Sequence, residues 1–241
     1  MCKGGIRLNQ PKNNKHIEKH FTATDLIRDI VIGMSDGLTV PFALAAGLSG
    51  SVTGTNIVVI AGLAEIAAGS IAMGLGGYLA ARTEQEHYEN ELARERREII
   101  ELPEYEKEEV ADVLREWGLQ EDIIEPAVKQ ISSDPNRWIS FMMKHELGLE
   151  EPEPKRARNS SITIGLSYIV GGFIPLFPYM IIHRDVSALL VSVAATLTAL
   201  FVFGYVKGKF TGSKPLKSAV QTTLVGGMAA ATAFTVAKII S

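Results

Sequence analysis

The chain of 241 residues is poor in the groups that staple or ligate small proteins. It has one cysteine, Cys2, in a polar leader, so neither an internal disulfide nor a thiolate metal cage is available. Its five histidines do not pair: His16 and His20 lie in the leader, His183 lies in a short polar turn, and His87 and His145 have no second histidine at ligand spacing. The first 24 residues are basic (Lys3, Arg7, Lys12, Lys15, Lys19) and lack an apolar core. No cleavable signal is expected, and the first apolar helix must itself direct insertion. Charge is missing over long stretches. Between Ile30 and Ala81 only Asp36 and Glu65 are charged, and the stretch from Asn159 to Ile182 carries none.

What is present is segregated. The composition, 46% hydrophobic with net charge −3, resembles that of a soluble protein. Yet residues 83–158 hold 21 of the 27 acids and 11 of the 24 bases, a balance of −10 that leaves +7 for the remainder. This pattern describes a membrane protein with an acidic soluble insert. Residues 57–81 are long enough, at 1.5 Å per residue, to cross a hydrocarbon core of about 30 Å. No stop signal follows. Strong helix formers continue without Gly or Pro to Pro103, so one helix should leave the bilayer and run on into water.

The predicted fold is all-α, a polytopic membrane protein with five transmembrane helices and a small cytosolic helical domain between helices 2 and 3. Residues 1–24 form an N-terminal tail, 25–82 carry helices 1 and 2, 83–158 form the acidic domain, and 159–241 carry helices 3–5. The turn at 49–56 separates the first two spans, and Pro175 and Pro178 should kink or interrupt the third. Basic residues flank the spans at the tail, the insert and the 207–217 loop. That places the N-terminus and the insert in the cytosol and the C-terminus on the luminal or outer side. Within the insert, Pro103 should open a helix ending near Trp117, a second should span about 121–132, and a short one should follow from 136 to 147. Trp117, Leu114, Ile123, Ile124, Val128, Ile131, Trp138 and Phe141 are its expected core.

Two groups of residues could carry chemistry. An ionised group within a span costs about 2.5–3.5 kcal/mol on insertion scales, so Asp36 and Glu65 are functional candidates by default. Gly33 and Gly37 beside Asp36 permit close helix approach or local unwinding. Counted from the flanking charges, Asp36 lies about 10 Å and Met73 about 13 Å into the membrane, with Glu65 further towards the lumen. An oxygen–sulfur–oxygen series reads as stations along a cation path. The alternative is that the two acids are neutral and hydrogen-bond between helices. In the insert, Glu95-x-x-Glu98 and Glu106-x-x-Glu109 place carboxylate pairs on consecutive helices, with Met142, Met143 and Glu146 arriving later. Clustered carboxylates suit divalent cations, and thioethers shift the preference towards softer metals. Spacing alone leaves open a solvated face laced by Arg94, Arg96, Arg97 and Lys107.

The segments DLIRDIVIGMSDGLTVPFALAAGLSG (25–50), GLAEIAAGSIAMGLGGYLAARTEQEHY (62–88) and FMMKHELGL (141–149) resemble the vacuolar iron transporter family of plants, fungi and protists. The resemblance runs from Asp25 to Ser241. It implies five spans, a homodimer with the ion path between protomers, and proton-coupled export of Fe²⁺ from the cytosol across the vacuolar membrane (tonoplast). It implies that Asp36, Glu65 and Met73 line the path. It further implies that Glu95, Glu98, Glu106, Glu109 and Glu146 ligate metal, with Met142 and Met143 beside them. Zn²⁺, Co²⁺ and Mn²⁺ are possible substitutes for Fe²⁺, and protons are the coupling ion. The expected partners are a second copy, the lipid bilayer and divalent metal ions, with no nucleic acid. The chain is expected not to be an enzyme. The competing readings are a membrane-anchored di-iron carboxylate enzyme and a metal sensor or store. The former typically uses paired Glu-x-x-His motifs, of which only Glu84-x-x-His87 is present.

Overall fold

The computed structural model describes residues 24–51 and 54–240, of which no residue is in a β-strand. The basic tail, with Cys2, His16 and His20, and the middle of the 49–56 turn lie outside the described residues. Eight α-helices follow in order: α1 (Thr24–Ser51), α2 (Thr55–Glu101), α3 (Pro103–Glu116), α4 (Glu121–Ser132), α5 (Pro135–Phe141), α6 (Arg156–Ile181), α7 (Asp185–Phe210) and α8 (Pro215–Ile240). A π-helical turn, Met142–Glu146, extends α5. Five of these helices (α1, α2, α6, α7 and α8) are long and apolar enough to cross a membrane.

The local rules act where expected. α2 is one unbroken helix of 47 residues, and Leu102 both ends it and precedes Pro103 at the first turn of α3. α3 stops at Trp117–Gly118, where glycine takes a positive φ of 82°. Asp134 caps α5 by accepting hydrogen bonds from the Asn136 and Arg137 amides. The prolines of the third span do not interrupt it: Pro175 and Pro178 both lie inside α6. The Pro175 carbonyl accepts a bond from the Ser192 hydroxyl of α7 at 2.7 Å, so a neighbouring helix braces this segment. α1 is likewise continuous through Gly33, Gly37 and Pro41, so the glycines beside Asp36 serve close packing, with no unwinding.

α6 is the hub. It packs along the length of both α1 and α2, while those two touch each other far less. Ala45 of α1, Val58 and Ile66 of α2, Leu176 and Tyr179 of α6 and Ala188 of α7 form the central apolar cluster. At the end of the bundle nearest the insert, the buried Arg156 guanidinium of α6 donates to both oxygens of the buried Asp29 of α1, at 2.5 and 3.1 Å. A second carboxylate, Asp25, lies 3.3 Å away.

The insert has its own core of Val110, Ala111, Leu114, Ile124, Trp138 and Met142, with Val128, Ile131 and Phe141 partly buried against it. Two residues expected in this core are outside it: Trp117 is 55% exposed and Ile123 52%. Trp117 instead packs edge-on against His145, with ring centroids 4.9 Å apart, and against Phe141 at 6.1 Å. Val110, Ala111 and Met142 take the interior because they share a helix face with Leu114 and Trp138.

Candidate functional site

The carboxylates of the insert converge where α2 passes into α3. Glu95 and Glu98 stand one turn apart on α2, and Glu106 stands on the first turn of α3. Each offers an oxygen within 4.8 Å of the others. Glu95 is 1% exposed and Glu106 2%, and Oε2 of each is buried with no hydrogen-bond partner. That is not a solvated face. Of the four bases that could have laced it, only Arg94 reaches the cluster, 3.3 Å from Glu98 and 3.7 Å from Glu95. Lys107 turns to Glu104 and Arg97 to the Ala93 carbonyl.

One guanidinium cannot balance this many acids, and unpaired buried charge is expensive. Burial raises the proton affinity of Glu95, Glu106, Glu109 and Glu146, and neighbouring carboxylates add to it. Glu106 is pushed up to about 7, first by burial and then by Glu109, Glu95, Glu98 and Glu146. Glu146 is pushed up to about 7 as well, by partial burial and then by Glu109 and Glu95. Glu109 rises above the usual carboxylate range for the same first reason. All five acids singled out in the sequence therefore act on one another. Of these, Glu95, Glu98 and Glu106 bring oxygens close enough to hold a divalent cation, and either a cation or protons must supply the missing positive charge.

The methionines have different surroundings. Met142 is fully buried in the insert core, and Met143 lines a cleft of about 490 Å³ with Tyr88, Leu92, Arg96 and Lys144. Both methionines and Glu146 lie in one π-helical turn. The Leu147 amide bonds back five residues to the Met142 carbonyl at 3.1 Å, so the ring is wider than an α-turn. Successive side chains are thereby displaced around the axis, and Met142 stays in the core while Glu146 stands near Glu109 and Glu95.

Within the apolar bundle, Asp36 (α1), Glu65 and Met73 (α2) are each partly buried. Glu65 accepts a hydrogen bond from the Tyr168 hydroxyl of α6, and its Oε2 is buried without a partner. Asp36 acts electrostatically on the same phenol. Met73 lies eight residues beyond Glu65 on α2, about 12 Å along its axis. Glu65 and Met73 therefore do not share one cage. The sequence made the two acids conspicuous, as lone charges in apolar runs. It missed Tyr168, an ordinary aromatic in an aromatic-tolerant span, and it missed the Asp29–Arg156 pair, 127 residues apart in sequence.

The fold and these groups define a class: a multi-helix membrane protein with carboxylates inside its spans and a buried carboxylate cluster on an extension of one of them. A sequence model of the VIT family matches residues 27–238. The chain is 55% identical over 225 residues to Vacuolar iron transporter 1 of Arabidopsis thaliana, covering 93% of this chain and 90% of that protein. It is similarly 55% identical to Vacuolar iron transporter 2 of rice (Oryza sativa subsp. japonica), with 93% and 92% covered. It is 36% identical to Protein CCC1 of Saccharomyces cerevisiae, with 96% and 75% covered. The chain belongs to the VIT family.

Proposed function

We propose that this protein carries Fe²⁺ from the cytosol into the vacuole in exchange for protons, as a homodimer in the vacuolar membrane. The observation that carries the reading is the pairing of two features in one helix. α2 holds Glu65 within its apolar half and Glu95 with Glu98 in its polar half, each region ending in buried carboxylate oxygens that lack partners. The names of the relatives support iron as the cargo and the vacuole as the destination. The insert faces the cytosol, where Glu95, Glu98, Glu106, Glu109 and Glu146 gather the metal, and Mn²⁺, Co²⁺ and Zn²⁺ are substitutes for it. Asp36, Met73 and Glu65 pass the ion across.

Metal and protons compete for the same oxygens. From an acidic lumen, protons take the carboxylates of the path and release Fe²⁺, and loss of those protons towards the cytosol restores the site. Uptake into proteoliposomes under an imposed pH gradient tests this directly. The expected result is Fe²⁺ accumulation that requires the gradient and acidifies the opposite compartment. Iron-dependent consumption of O₂ without flux would favour the di-iron enzyme instead. Tight binding without flux or turnover would favour a sensor or store.

A further inference from the structure

Tyr168 stands where three helices meet. It is 2% exposed, and two glycines make room for it. A Cβ at Gly37 of α1 would collide with its carbonyl, and one at Gly69 of α2 would lie 2.5 Å from its hydroxyl oxygen. Gly37 thus lets the α1 backbone close on the Tyr168 main chain, and Gly69 leaves room for the phenol, whose O–H donates to Glu65 Oε1. Glu65 Oε2 is shut off from solvent and has no partner. One oxygen of this carboxylate is engaged, and the other remains available to a ligand.

We propose that Tyr168 is a specificity-determining residue: by engaging one oxygen it makes Glu65 a one-oxygen ligand, and so disfavours Ca²⁺ relative to smaller transition-metal ions. The inference deepens the transport reading above and rests on it. Ca²⁺ collects six to eight oxygens and is well served by carboxylates that bind through both of theirs. First-row transition metals accept fewer donors and tolerate sulfur, which Met73 offers further along the same helix. For Glu65 to bind through both oxygens, Oε1 must serve the phenol proton and the cation at once, which weakens it as a second donor to the metal. The α1 backbone at Gly37 fixes the Tyr168 main chain, and close packing against Gly69 holds the phenol beside Glu65. Ca²⁺ meets that cost in full, and a one-oxygen binder avoids it.

Tyr168→Phe tests this, because it keeps the ring and removes only the donor. Full-length protein in proteoliposomes is assayed for Fe²⁺ and Ca²⁺ uptake under the same pH gradient. The expected result is a rise of about tenfold in the Ca²⁺-to-Fe²⁺ uptake ratio, the shift that loss of one net hydrogen bond produces. An unchanged ratio, or an equal fall for both ions, overturns the proposal and leaves Tyr168 a packing residue. A measurement on the unaltered protein guards against a misfolded variant. The infrared carboxylate bands of metal-loaded wild type, minus those of Glu65→Gln, should have the splitting of a carboxylate bound through one oxygen, and a two-oxygen signature overturns the idea. Absence of Fe²⁺ flux in wild type would instead count against the transport reading, and the infrared result would still decide the denticity of Glu65.

Discussion

Glu106 is buried among other carboxylates with little support for a negative charge, and that gives it a measurable sign. Its folded pKa, about 7, lies above the ordinary value of 4.5. Between those values the metal-free folded chain holds a proton that the unfolded chain has released. Stability must therefore fall as pH rises through 7 and recover as pH is lowered towards 4.5; Glu146 acts in the same direction. Melting temperatures in chelator should be higher at pH 6 than at pH 8. Glu106→Gln should melt at the same or a higher temperature than wild type at pH 8, yet bind Fe²⁺ at least tenfold more weakly, since even outer-shell partners of metal sites are worth 10–100-fold. Anaerobic calorimetric titration of the full-length protein reads the affinity. A variant that melts lower at pH 8 and binds normally would make Glu106 a structural acid. Asp36 invites the complementary test. Asp36→Asn keeps the shape and loses the charge, so Fe²⁺ flux should vanish while melting and metal binding by the insert stay at wild-type values. Flux near wild type would make Asp36 a hydrogen-bonding group only.

At the scale of the element, α6 decides the packing and small residues decide how near its partners come. Gly37 has the α6 backbone against it, and nothing there can yield as a flexible side chain would. Gly37→Ala should destabilise the bundle by about 1–3 kcal/mol, the range for overpacking a filled interior. On α2, a Cβ at Gly76 would meet no other part of the protomer within 4 Å, so Gly76→Ala should leave the protomer's thermal stability unchanged or slightly raised by the better helix propensity of alanine. Unfolding curves in detergent separate the two, and equal effects would show that α1 and α6 do not pack this closely in solution. The insert teaches a related lesson. Its helix boundaries follow from Pro103, Gly118 and Asp134, which act within a few residues. The π-turn does not follow from them, because the wider ring at Met142–Glu146 accompanies long-range packing of Met142 in the core and of His145 on Trp117.

For the whole molecule, the α2 surface left uncovered points to assembly. Gly62 and Gly69 are spent on α6, where Leu176 and Tyr168 fill the space. Ala64, Ala68, Ala72 and Gly76 remain exposed at intervals of four, a small-residue stripe on the helix that also carries Glu65 and Met73. A two-fold pairing of α2 with its copy would cover that stripe and bring both paths to the interface. Wild type should be a dimer in mild detergent by light scattering, and Ala68→Trp should shift it to monomer and abolish flux. A monodisperse wild-type monomer that transports Fe²⁺ would end this idea.

The sequence by itself determined the properties that are local or additive along the chain. Five apolar segments of spanning length, the exit of α2 into an acidic region, the helix starts at prolines and the two stray acids all need only nearest neighbours and hydrophobicity to be legible. The tertiary structure decided what depends on distant partners. It turned Trp117 outward and Met142 inward, buried Glu95 and Glu106 while leaving Arg94 at their rim, and joined Asp29 to Arg156. It also set the Tyr168 hydroxyl on one oxygen of Glu65. Each of these is a choice of partner among several chemically equal ones, and that choice is made by which helix faces pack together.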